Sequence, residues 1–251
     1  ETGGDPQADP VQSVETAFED LNYLVRSSAD RPAALDSTLK TVASLRDYML
    51  QIGSAALSGE QALKSASGRV GGSGGDVLLQ AKSEFGRLPE PLKSWFLSFL
   101  TVGWRQTLAG AKGELNGMLK TGVGSPCRAA FSGRYPFVSS SSKDATLMDF
   151  AKFFAPNGVL DQFFQTNLKT FVDVNRPVWT EVGMDNQSLG LSPATIRQFQ
   201  YASAIRSAFF SAGGQMPTVS FELKPISLDQ NVATFRFNLE GQEVVYRHGP
   251  E

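Results

Sequence analysis

The stretch Leu88-Pro89-Glu90-Pro91-Leu92, continued by Trp95, Phe96, Phe99, Leu100, Leu108, Leu115 and Leu119, decides the fold. Two prolines set the backbone of a first helical turn, where their missing N–H groups have no partner to lose. The apolar residues behind them return at helical spacing, which predicts one long helix carrying both Trp95 and Trp104. Such a helix cannot bury its own apolar face, so other helices must surround it.

Those helices are readable on both sides. Upstream, Asp9-Pro10 is a helix start, with Val14, Phe18, Leu21 and Val25 recurring to an end near Ser28. Pro32 opens a second helix, whose Leu35, Leu39, Val42, Leu45, Met49 and Ile52 form one stripe before Gly53; the two are expected to pair as an antiparallel hairpin. An Ala-rich helix from Ser58 to Arg69 leads to Gly71-Gly72-Ser73-Gly74-Gly75, a surface loop, and Asp76 to Phe85 is another helix. Downstream, Ser125-Pro126 is expected to cap a short helical turn with Cys127, and Phe131 to Phe137 to form a structured break. Ser142 or Asp144 is the expected cap of a helix through Leu147, Phe150, Ala151 and Phe154, which stops at Pro156-Asn157-Gly158; Val159, Leu160, Phe163 and Phe164 start the next. Ser192-Pro193 repeats the cap-plus-proline signal before Ile196, Phe199, Ala202, Ile205, Phe209 and Phe210, with a stop at Gly213-Gly214.

Beyond Gly214 the period changes to two. Val219, Phe221 and Leu223, then Phe235, Phe237 and Leu239, then Val245 after Glu240-Gly241 read as three strands with one apolar face. That face needs a cover, so the strands are expected to begin a β-domain that continues past Glu251. The expected fold is mainly α, α+β overall: a multi-helix domain over 1–214, with residues 1–6 a disordered or expression-derived lead-in, then a short antiparallel sheet over 215–251.

Composition excludes several functions. The 23 Lys plus Arg and 25 Asp plus Glu nearly cancel and form no basic block, which argues against nucleic acid. No apolar run reaches bilayer length, so no membrane insertion is expected. One histidine, His248, and one cysteine, Cys127, cannot build a nucleophilic triad or a soft metal shell. The Gly71–Gly75 run lacks the Gly-Lys-Ser/Thr ending of a phosphate loop. No cofactor, no metal and no enzymatic activity are expected.

Carboxylates keep one route open. Asp144, Asp149, Asp161 and Asp173 fall in an aromatic-rich centre and leave room for a glycosidase-like pair. The plainer assignment makes Asp144 a cap and Asp161 a first-turn anion. Arg134 is expected to satisfy helix-end carbonyls or an Asp, and Tyr135 and Phe137 to plug the core.

The run from Cys127 through Gly133-Arg134-Tyr135-Pro136-Phe137, then Asp144 through Phe150, Phe154, Pro156 and Gly158 to Asp161, is similar to the carboxy-terminal periplasmic region of the IcmF-like (TssM) inner-membrane proteins of bacterial type VI secretion systems. So are Leu88 to Leu92 with Trp95, the helix from Phe199 to Arg206, and Tyr246-Arg247-His248-Gly249-Pro250. The similarity runs from about Leu88 onward. It implies a structural subunit of the envelope-spanning membrane complex, a periplasmic domain meeting the outer-membrane lipoprotein TssJ, the inner-membrane partner TssL and further copies of itself. It makes Cys127, Gly133, Arg134, Tyr135, Pro136, Phe137, Asp144, Phe150, Phe154, Pro156, Gly158 and Asp161 family-signature positions with structural roles. In the family the β-domain continues past His-Gly-Pro and the TssJ contact belongs to that later part, which leaves TssJ binding by this stretch an open question.

Three readings make different demands. An assembly module should expose apolar or aromatic patches, along the Leu92 to Leu119 helix or the outer strands. A peptidoglycan-directed enzyme or sugar-binding module should show a deep cleft with two carboxyl groups. A small-molecule-binding helical domain should show a large closed pocket.

Overall fold

The structure, a computed structural model, describes residues 14–16, 18–27, 33–53, 58–73, 76–210, 213–218, 222, 224, 226–227, 229–239 and 241–247. The chain forms two compact units, Glu1–Pro217 and Thr218–Glu251. The first contains α1 (Glu19–Val25), α2 (Ala34–Gly53), α3 (Ser58–Val70), α4 (Val77–Phe85), α5 (Leu92–Leu119), α6 (Ser125–Phe131), α7 (Leu147–Phe154), α8 (Val159–Phe163) and α9 (Pro193–Phe209). An antiparallel pair, β1 (Val172–Asp173) and β2 (Thr180–Glu181), lies between α8 and α9 in the chain.

The long helix α5 is the axis on which α3 and α4 pack, with α2 against both of them. Its buried face is Leu100, Gly103, Trp104, Thr107, Leu108, Ala111 and Leu115, steps of one, three and four that keep one side inward. Gly103 lets α2 come close: a Cβ there would sit 3.2 Å from the Met49 sulfur. Thr107, fully buried, returns its hydroxyl to the Gly103 carbonyl at 3.0 Å and meets the Tyr48 hydroxyl at 3.3 Å. Phe85 of α4 stacks on Phe96 of α5 at 4.6 Å. The start of α5 is secured by Glu90, whose carboxylate accepts from the Ser94 hydroxyl at 2.5 Å.

The start signal at Ser192 holds, and the helix expected from Asp76 begins one residue later, with Asp76 as its cap. The Asp76 carboxylate accepts from Leu78 N–H at 2.9 Å and the Ser192 hydroxyl accepts from Thr195 N–H at 3.0 Å. Ser125-Pro126 differs from expectation. The helical course of α5 does not stop there but passes through a wide π turn, Lys120–Gly124, into α6. Pro126 has no N–H to give, and the wide turn absorbs the missing bond; Ser125 donates its hydroxyl back to Lys120 C=O at 3.2 Å.

In α1 it is Leu24 that is buried, while the expected stripe of Val14, Phe18, Leu21 and Val25 is exposed, as is Leu39 of α2. Asp9-Pro10, Ser28, Pro32, Gly74 and Gly75 lie outside the described residues. Residues 172–191, from which the sequence suggested no helix or strand, form β1, β2 and a tight turn at Asp185-Asn186, both at positive φ (53° and 58°). Met184 and Gln187 exchange backbone bonds of 2.8 and 3.0 Å across it, a hairpin-type turn for which Asp and Asn are suited.

That turn is fastened to the helices through Arg69. The Arg69 side chain is only 5% exposed and binds Asp76 at 2.9 Å and Asp185 at 2.5 Å, over the Trp104 ring at 4.8 Å. Lys82 reaches the other oxygen of Asp185 at 2.6 Å. Trp104 Nε1 donates to Met184 C=O at 3.3 Å, and the Gln187 amide donates to Thr101 C=O at 3.3 Å. The Lys82 bond first, then Arg69, hold the Asp185 carboxyl below the usual carboxylate range against the pull of burial.

The second unit is a hairpin of β3 (Thr234–Leu239) and β4 (Gln242–Arg247), turned at Gly241 with φ of 87°. Phe235 pairs with Tyr246 and Phe237 with Val244, which puts all four on one face. Val219, Phe221 and Leu223 of the other expected strand, and His248, lie outside the described residues. Among the described residues no helix is long and apolar enough to cross a membrane.

Removing Arg69 leaves Asp76 without its ion-pair partner and Asp185 with Lys82 alone. We expect Arg69→Ala to destabilise the first unit by about 3 kcal/mol and Arg69→Lys, which keeps charge but not the fork, by less. Urea unfolding followed by circular dichroism measures both.

Candidate assembly surface

The signature residues converge on the connection from α6 to α8. Helix α6 ends at Phe131, and Gly133 takes a φ of 68°, a conformation that costs glycine least. The chain then returns on itself: Tyr135 N–H donates to Lys143 C=O and Ala145 N–H to Tyr135 C=O, each at 2.8 Å, which pairs Tyr135 with Asp144. Ser141 ties the loop, donating its hydroxyl to Gly133 C=O at 2.7 Å and accepting from Lys143 N–H at 3.1 Å. The Tyr135–Pro136 peptide is cis.

Asp144 is therefore a pairing residue of this loop and does not cap α7. The cap is Thr146, whose hydroxyl accepts from Asp149 N–H at 3.0 Å and donates to the Asp149 carboxylate at 2.8 Å. Thr146 and Asp149 stand at capping-box spacing, but the Asp149 carboxylate takes the Thr146 hydroxyl and not its backbone N–H. Ser142 makes no cap either. Arg134 faces Asp149 at 3.7 Å, the acid partner expected of it.

Tyr135 and Phe137 do not plug the core: both are about half exposed, although Phe137 lays its ring on the buried Phe131 at 4.5 Å. Behind them the aromatic centre is real. Phe131, Phe153 and Phe154 pack together, and Phe150 meets Phe154, Phe209 and Phe210 at 4.8, 5.4 and 6.0 Å, joining α7 to α9. Cys127 is a half-buried free thiol on α6.

At Pro156-Asn157-Gly158, Asn157 takes a φ of 60°. A Cβ on Gly158 would stand 2.8 Å from Ala155 C=O and 2.9 Å from Lys152 C=O, so only glycine fits. Asp161 then accepts from Asn157 N–H at 2.9 Å and pairs with Arg206 of α9. Burial opposes the Asp161 charge, but the Asn157 N–H and the Arg206 guanidinium outweigh it and hold the carboxyl below the usual range.

Three of the four candidate carboxylates are committed: Asp149 to the cap and Arg134, Asp161 to Arg206, and Asp173 to Asn175 N–H and Arg176, while Asp144 is exposed and enters the loop through its backbone. Nor do they share a cleft. An open cleft of about 710 Å³ beside α3 has Asp76 as its one carboxylate, and a groove of about 430 Å³ between α6 and α7 has Asp149. No group of three or more metal-ligating side chains occurs among the described residues.

What the surface does offer is apolar area. Trp95, Phe99 and Val102 stand out along one side of α5; Tyr135, Phe137, Val138, Leu147 and Met148 surround the signature loop. In the second unit Phe235, Val244, Val245 and Tyr246 are exposed. Large apolar side chains grouped this way mark contact surfaces.

These features define a helical scaffold that presents apolar contact surfaces. Residues 110–215 match the type VI secretion protein IcmF helical domain, and residues 221–251 match the type VI secretion protein IcmF C2-like domain. The type VI secretion system component TssM1 of Pseudomonas aeruginosa is 34% identical over 245 residues, which cover 97% of this chain and 21% of that protein. The chain belongs to the IcmF-like (TssM) family of type VI secretion proteins. Its fold is also that of a type VI secretion system membrane core complex chain, at a TM-score of 0.70 and 20% identity over 98% of this chain and 55% of the other. A type VI membrane complex chain gives 0.66 and 20% over 98% and 52%. The chain thus spans about a fifth of the curated relative and about half of these solved chains. The alignment with TssM1 takes in the first helices as well, where the residues offered pattern and no motif.

Two outcomes are expected. Thr146→Ala should cost about 1 kcal/mol, the usual loss of a helix cap, in thermal unfolding. Because the folded chain binds the Asp161 and Asp185 protons more weakly than the unfolded chain, their stabilisation is whole above about pH 5 and is lost as pH falls through the lowered pKa values. Asp161→Asn should therefore lower the midpoint at neutral pH and flatten the fall in acid, as read from melting curves across that range.

Proposed function

We propose that this chain is a structural subunit of the type VI secretion membrane complex and that it works on the periplasmic side of the inner membrane. The observation that carries this reading is 34% identity to TssM1 along 97% of the chain. Exposed apolar groups on α5 and around the signature loop support it, since a scaffold works by burying such surface against partners. We further propose a helical body over 1–214 and the first strands of a β-domain over 215–251, with the signature positions from Cys127 to Asp161 shaping the α6 to α8 connection. The partners we propose are TssL, copies of the same chain and, for a chain that includes the rest of the β-domain, TssJ.

The rival, a peptidoglycan-directed enzyme or sugar-binding module, needs paired carboxylates in a cleft, and three of the four candidates, Asp149, Asp161 and Asp173, are each held by an arginine, which leaves Asp144 without a second carboxylate to work with. A pull-down with TssJ and TssL as separate baits tests the assembly reading, comparing this chain with one extended through the β-domain. We expect TssL to retain both forms and TssJ only the longer one. Retention of neither form by either bait, or turnover of peptidoglycan by the purified chain, overturns the reading.

A further inference from the structure

Two helices of the first unit turn apolar stripes to solvent, and the stripes differ in charge. Ahead of α1 the chain turns at Phe18, with φ of -105° and ψ of 2°, yet bonds of helical span continue across the turn: Phe18 N–H donates to Val14 C=O at 3.1 Å and Asn22 N–H to Phe18 C=O at 2.8 Å. Val14, Phe18, Leu21 and Val25 therefore fall on one face by steps of four, three and four, and all are exposed. Leu24, on a different side, is buried, and α1 packs on α2. Glu15 and Glu19 are exposed beside the stripe and hold no ion-pair partner among the described residues.

On α5, Trp95, Phe99 and Val102 repeat the four-three spacing and are exposed. Arg105, on the same exposed side, and Lys120, just past the helix end, have no ion-pair partner among the described residues. The one acid of α5, Glu114, is turned toward Gly59 of α3. Arg26 follows the first stripe and Glu90 precedes the second, both exposed, so the flanks are mixed, with acid in excess beside α1 and base in excess beside α5.

We propose that α1 of one copy docks across the exposed side of α5 of a second copy. The inference rests on the assembly reading above and names one of its contacts. Phe18 and Leu21 supply anchors for Trp95 and Phe99, and residues spaced by three and four on both helices let side-chain ridges enter facing grooves. Glu15 and Glu19 meet Arg105 across the seam. The same charges set two α5 stripes, or two α1 stripes, against each other, so unlike stripes are selected over like ones.

Cysteine cross-linking tests it. In the Cys127→Ser background, a tagged Phe18→Cys chain is mixed with an untagged Phe99→Cys chain and oxidised, with Leu39→Cys replacing Phe18→Cys as an equally exposed control. We expect the 18–99 heterodimer about tenfold above the 39–99 product, the ratio that one specific contact supplies. Glu19→Lys or Arg105→Glu alone should cut the yield about threefold, the weight of an exposed pair, and the two combined on opposite copies should restore it. Yields equal to the control, or an 18–99 bond formed within one copy of a doubly substituted chain, overturn the proposal. Protection of Phe99→Cys by TssL alone also overturns it and assigns the α5 side to that partner. If TssL and TssJ retention persist while the cross-link fails, the assembly reading stands and only this contact falls.

Discussion

The first unit depends on how the buried charge of Arg69 is satisfied. A guanidinium enclosed by α3, α4 and α5 is tolerable only with anions at hand, and the chain supplies Asp76 from the cap of α4 and Asp185 from a distant turn. One ion thus joins the start of α4, the Trp104 face of α5 and residues 184–187. Without Asp185 the turn would have only the bonds from Trp104 and Gln187 to hold it. The α6 to α8 connection uses the same device in lighter form, with Asp161 and Arg206 joining α8 to α9 at the edge of the phenylalanine core.

Much of the helical layout was legible because local chemistry and tertiary demand agree there. Asp76 and Ser192 cap where a side-chain oxygen followed by a helical apolar pattern says they should. Period-two alternation found β3 and β4 for the same reason. Where the reading departed, a longer-range term won. Pro126 is a helix-start signal by itself, but a π turn lets α5 run through it, and no short window of sequence shows that the preceding helix will widen. Val14 and Phe18 look like core because periodicity marks an apolar face without saying which neighbour covers it.

The signature segment was legible as a unit and less so in its parts. Gly133 and Gly158 sit where backbone geometry admits little else. Arg134 found an acid, as a fork of donors should. Asp144 was assigned a cap that belongs to Thr146, although Thr146 and Asp149 stand at capping-box spacing and could have been read. Arg69 gave no local signal: an arginine ending an Ala-rich helix is ordinarily solvated, and only the fold brings Asp185 to it. The Asp185-Asn186 dipeptide, in contrast, does carry a local signal, since Asp and Asn tolerate the positive φ that this turn demands.

The clamp on Arg69 also orders events in time. Asp185 follows Arg69 by 116 residues, so during synthesis the guanidinium waits until α5 through α8 and both short strands have emerged. A contact so distant along the chain is among the last to repay its loop-closure entropy. Arg69 thereby joins parts of the chain that are made far apart in time.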